Sequence, residues 1–107
     1  MKTGNITALV PRDRDREVFE ELVRTDRVTI ERIISHGQAS PEGFWYNQER
    51  AEWVLVLKGS AGLRFEGEDA VMVLREGDWI HIPARRKHRV EWTSKTEATL
   101  WLAVHHA

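Results

Sequence analysis

Trp45-Tyr46-Asn47-Gln48-Glu49-Arg50-Ala51-Glu52-Trp53-Val54-Leu55-Val56-Leu57-Lys58-Gly59 is the stretch on which the reading of this chain turns. Alternate side chains of a strand point to opposite faces, so Glu52, Val54 and Val56 share one face and Trp53, Leu55 and Leu57 the other. A strand wetted on one side alternates apolar with polar residues. This one is apolar on both faces apart from Glu52, so both faces are covered and a carboxylate sits among the buried groups. Lys58-Gly59 ends the strand with a turn signal.

Downstream the pattern repeats. Ala61 to Phe65 stops at Glu66-Gly67, Ala70 to Leu74 at Glu76-Gly77-Asp78, and Trp79 to Ile82 at Pro83, which cannot donate to a central ladder. Arg89 to Thr93 and Ala98 to Val104 complete the series. Upstream, Phe44 to Gln48 reads as a strand, Gly37 to Gly43 as a loop, and Val28, Ile30 and Ile34 alternate with polar residues as a strand does. Many short strands with Gly at the joints predict an all-β sandwich or barrel, closed so that few edges are left open. Ahead of them, Val18, Phe19, Leu22 and Val23 recur at helical spacing behind the charged run Arg12 to Arg16. This predicts a short amphipathic helix capped by Asp13 or Asp15 and docked on the outside of the barrel.

Composition narrows the function. A chain of 107 residues has room for one core. It divides into an arm and helix over residues 1–26 and a barrel over 27–107. The net charge of -1 offers no basic surplus for a phosphate backbone, so nucleic acid is not an expected partner. The absence of cysteine excludes disulfides, thiolate zinc sites and cysteine nucleophiles. The first residues lack a secretory pattern, and Trp53 to Leu57 is far too short to span a bilayer. The expectation is a cytoplasmic protein with no membrane partner.

The same residues resemble the two motifs of the cupin superfamily. The first runs H-x-H, three or four residues, E, six residues, G; here Tyr46-x-Gln48, Glu52 and Gly59 keep that spacing. The second runs G, five residues, P-x-G, two residues, H, three residues, N; here Gly77, Pro83 and His88 keep theirs. The departures are Tyr46 and Gln48 for the two histidines, Arg85 for the motif glycine and Trp92 for the asparagine. The chain is similar to small bacterial cupins with a W-Y-x-Q variant of the first motif. The resemblance implies a double-stranded β-helix, or jelly-roll barrel, commonly paired as a homodimer.

Strand registers set Glu52 and His88 toward the interior and put Tyr46 and Gln48 on one common face. Together they outline a concave site with few polar groups, the usual form of a ligand pocket. The alternative for Glu52 is an ion pair with Arg32 or Arg85, and for His88 a satisfied core histidine. Gln48, Glu52 and His88 form a mixed oxygen and nitrogen set for a divalent ion such as zinc, nickel, manganese or iron. Tyr46 and His88 are the candidates for proton transfer. His81 is expected to face away from the core. His105 and His106 are expected to fray at a chain end, and His36 is a minor candidate ligand.

Three readings follow. The first is a metal-assisted isomerase, epimerase or lyase acting on a small polar metabolite such as a sugar acid or keto acid. A dioxygenase is disfavoured, because the set is one histidine short of the usual iron triad. The second is a non-catalytic module that senses or sequesters a small ligand through a degenerate metal site. The third is a purely structural homodimer, covered on its outer face through Trp53 and Trp79.

Overall fold

A computed structural model describes residues 1–8 and 14–107. The strands are β1 (Val18–Arg24), β2 (Val28–Ser35), β3 (Ala51–Lys58), β4 (Ser60–Phe65), β5 (Met72–Arg75), β6 (Trp79–Ile82), β7 (His88–Thr93) and β8 (Thr99–His106). They form a five-stranded sheet in the order β1-β2-β8-β3-β6 and a three-stranded sheet in the order β5-β4-β7. All pairings are antiparallel. The two sheets enclose the core, where Val54, Val56, Ala61, Leu63, Trp101 and Ala103 are buried. No helix among the described residues is long and apolar enough to cross a membrane.

The two-sided character of β3 has its cause in this order. It lies between β8 and β6, with Glu52, Val54 and Val56 buried toward the other sheet. Trp53, Leu55 and Leu57 stay half-buried on the outer face. Gly59 turns the chain from β3 into β4 at a φ of 86°, and a Cβ there would lie 2.5 Å from Thr99 Oγ1. Only glycine fits both demands.

The expected N-terminal helix is replaced by β1, an edge strand paired with β2 from Val18↔Ile34 to Arg24↔Thr29. Val18, Glu20 and Leu22 are half-buried while Phe19, Glu21 and Val23 are exposed, which is a period of two. The pairing with β2 shifts register between Glu21 and Val23. Two partners fix the strand form: the free edge of β2, and Arg32, whose Nη2 donates to Glu20 Oε1 at 2.7 Å. Asp13, one of the two expected caps, lies outside the described residues. The Phe44–Gln48 segment is also not a full strand. It makes one bridge, Tyr46↔His88.

Candidate functional site

Glu52 projects inward from β3 and His88 inward from the first position of β7, on the opposite sheet. Both are buried, at 8% and 5% exposure. His88 Nε2 lies 3.6 Å from Glu52 Oε1, longer than a good hydrogen bond. His88 Nδ1 lies 2.9 Å from the Arg86 carbonyl oxygen, an acceptor, so Nδ1 carries the proton. That bond fixes the ring and turns Nε2 toward Glu52, the disposition of a base or a ligand. Neither Arg32 nor Arg85 pairs with Glu52. Arg32 is held by Glu20, and Arg85 lies 3.4 Å from Glu49.

Tyr46 is locked to His88 through the backbone. Its N–H donates to the His88 carbonyl at 2.7 Å and its carbonyl accepts the His88 N–H at 3.2 Å. The two rings lie 5.3 Å apart and nearly parallel, at 23°. Burial pushes the Tyr46 phenol above its ordinary value, and the carboxylates of Glu17, Glu52 and Glu31 push the same way. The phenol therefore keeps its proton through the physiological range. Tyr46, Glu52, His88, Glu17, Phe19 and Trp101 are among the walls of a cavity of about 60 Å³ between the sheets. That holds on the order of five water-sized groups.

Two residues of the site escaped the sequence reading. His105 is not frayed: it pairs in β8 with both β2 and β3. Its Nε2 lies 2.9 Å from Glu31 Oε1 and 3.8 Å from Glu52 Oε2. The hydrogen bond that Glu31 accepts from His105 raises the imidazole above its usual range; burial opposes this and the Glu52 carboxylate adds to it. The signal was present, because Trp101, Ala103 and His105 share one register of β8. Glu17 is the second. Trp101 Nε1 donates to Ser35 Oγ at 3.1 Å, and Ser35 Oγ donates in turn to Glu17 Oε2 at 2.6 Å. The helix reading of the segment from Glu17 to Val23 concealed its inward direction.

Gln48 lies elsewhere. It lines a polar cleft of about 610 Å³ with Arg24, Thr29, Glu31, Arg50 and His105, beyond the His105–Glu31 pair. Because the segment has only the one bridge at Tyr46, strand alternation does not carry over to Gln48, whose carbonyl accepts the Arg85 N–H at 2.8 Å. Three protein donors are the usual minimum for a catalytic zinc site. Among the described residues no three His, Asp or Glu side chains gather around one point suited to an ion. Glu52 and His88 supply two donors, and His105 is committed to Glu31. The residues present fall short of a full metal set.

The remaining histidines stand apart from the cavity walls. His81 is exposed, and its Nε2 faces His106 Nε2 at 3.0 Å. His36 follows β2, and its buried Nε2 has no hydrogen-bond partner.

A family model described as Cupin domain matches residues 31–105. A candidate mannose-6-phosphate isomerase from Ralstonia eutropha JMP134 is 52% identical, over 99% of this chain and 98% of that one, with a TM-score of 0.95. A cupin superfamily protein from Desulfitobacterium hafniense DCB-2 is 19% identical over 91% of this chain and 83% of that one, with a TM-score of 0.74. A Thermus thermophilus protein is 18% identical over 99% and 97%, with a TM-score of 0.79. These last two share the fold alone. No curated protein matches the chain. With Glu52 and His88 standing at their motif positions on facing sheets, and the family model running from within β2 into β8, the chain belongs to the cupin domain family.

Proposed function

We propose that the cavity between the sheets binds a small polar metabolite and moves a proton on it, in chemistry of the isomerase, epimerase or lyase type. The observation that carries this is the pairing of His88 and Tyr46. His88 has Nδ1 tied to a carbonyl and Nε2 turned toward Glu52, while Tyr46 keeps a phenolic proton beside it. A neutral imidazole can take a proton from carbon or oxygen, and a protonated phenol can give one back. Glu52 faces the imidazole Nε2 across 3.6 Å. The name of the 52% identical Ralstonia protein, a candidate isomerase, supports the same reaction class.

Cupins commonly hold a divalent metal, and Glu52 with His88 is where zinc, nickel, manganese or iron would bind here. With Gln48 outside the cavity, no step is assigned to the ion.

The incomplete donor set favours a second reading, a module that binds a small ligand without turning it over. Proton exchange separates the two. Small aldoses, ketoses and their amino and phosphate derivatives are incubated with the protein in D₂O, and loss of the proton signal next to the carbonyl (C2 of an aldose, C1 of a ketose) is followed by NMR. The enzymatic reading expects exchange with at least one class, reduced about 100-fold by His88→Gln and by Tyr46→Phe. Saturable binding without exchange would leave the binding module as the answer.

A further inference from the structure

The charge around the cavity narrows its ligand. Glu17 enters it from the segment before β1 and Glu52 from β3, so carboxylates stand on two walls. Among the described residues that line it there is no lysine or arginine. Behind Glu52 stands His105, whose Nε2 lies 3.8 Å from Glu52 and 2.9 Å from Glu31. Glu17 is not a loose surface group. Ser35, with no exposed surface, donates to its Oε2, and Trp101 Nε1 fixes the Ser35 hydroxyl so that its proton can only point at the carboxylate. A buried chain of two donors thus holds the Glu17 carboxylate at the cavity wall.

The other walls are apolar and aromatic, with Phe19, Tyr46 and Trp101 among them. A ligand that enters displaces the water solvating those carboxylates, and must replace it with donors or positive charge. An acid or a phosphate would add another anion to a small space whose described lining holds two carboxylates and no lysine or arginine. An ammonium group supplies charge and three donors, and aromatic faces attract it further.

We infer that the cavity is built for a small organic cation, an ammonium group seated between Glu17 and Glu52, and not for a carboxylate or phosphate. This rests on the reading of the cavity as a ligand site. It also departs from what a phosphorylated substrate would need at this position.

Tyr46 is the only tyrosine in the chain, so ¹³C-tyrosine labelling places a single reporter in the cavity wall. The metal-stripped protein is titrated by NMR with methylammonium, acetate and inorganic phosphate at matched ionic strength. Methylammonium is expected to shift the Tyr46 signal saturably, with acetate and phosphate leaving it unmoved. Glu17→Gln should weaken methylammonium about tenfold, and Glu49→Gln, on the exposed cleft, should not. Equal or stronger shifts with acetate or phosphate would overturn the cation assignment while keeping the cavity as a ligand site. Silence of Tyr46 toward all three probes would remove the ligand-site reading and the cation assignment together. The wild-type comparison of probes decides the matter even if Glu17→Gln fails to fold.

Discussion

Arg85 stands where the family motif has glycine, and it keeps a glycine's backbone: its φ is 66°. A side chain in the left-handed region costs about 1 kcal/mol or more. Its N–H bond to the Gln48 carbonyl holds it there. Arg85→Gly should therefore stabilise the fold by up to about 1 kcal/mol, read as a rise in the denaturant midpoint, since the exposed Arg85–Glu49 contact offers little to lose. His105 gives a pH prediction. Its imidazole is raised by Glu31, so the pair contributes most below the ordinary histidine value of about 6.5 and its contribution fades as pH rises through the elevated value. The melting-temperature deficit of Glu31→Gln should be larger at pH 6 than at pH 9. Glu52 and His88 were readable at this scale because motif spacing fixed their strands. Gln48 was misdirected by assuming a strand where the chain makes a single bridge.

Among the elements, β2 to β8 were legible because Gly67, Gly77 and Pro83 punctuate runs of alternating residues. β1 was not. Val18-Phe19-Glu20-Glu21-Leu22-Val23 fits helical spacing as well as it fits a strand with one irregularity, and the choice rests with Arg32 on β2. Arg32 is 6% exposed and donates to the Ile6 and Ala8 carbonyls at 3.1 and 2.6 Å besides Glu20. Glu20→Ala strands that guanidinium with only neutral acceptors and should cost about 2–3 kcal/mol, toward the low end for a broken buried pair because Glu20 is partly exposed. Replacing both partners, as in Glu20→Leu with Arg32→Met, should recover most of that loss. A double-mutant cycle in urea checks both outcomes.

At the scale of the molecule, the outer face of the five-stranded sheet remains apolar. Trp79 is 61% exposed and lies 6.0 Å from Trp53, ring to ring. Leu55, Leu57, Leu102 and Val104 share the face with Trp53 and are half-buried. We propose that a second copy of the chain covers it, each tryptophan contributing about 1.5–3 kcal/mol if fully buried. Sedimentation at tens of micromolar should show a dimer, and Trp79→Glu should shift it to monomer without loss of β-structure. A wild-type monomer at that concentration would refute the proposal. The general fold was legible at this scale because two motifs in order define a closed barrel. The cavity's charge was not, because it depends on Glu17, ahead of β1, lining the same cavity as Glu52 on β3, with His105 on β8 beside Glu52.

β8 sits in the middle of the larger sheet, between β2 and β3, though it is the last strand in the chain. During synthesis, then, β2 and β3 must each wait with an open edge until residues 99–106 have left the ribosome. The hairpin of β1 with β2 and the smaller sheet can form earlier, but neither can close the barrel. Closure of the barrel is held back until β8 has emerged, with two edges exposed meanwhile to neighbouring chains. Any stall that keeps residues 99–106 inside the exit tunnel would lengthen that exposure.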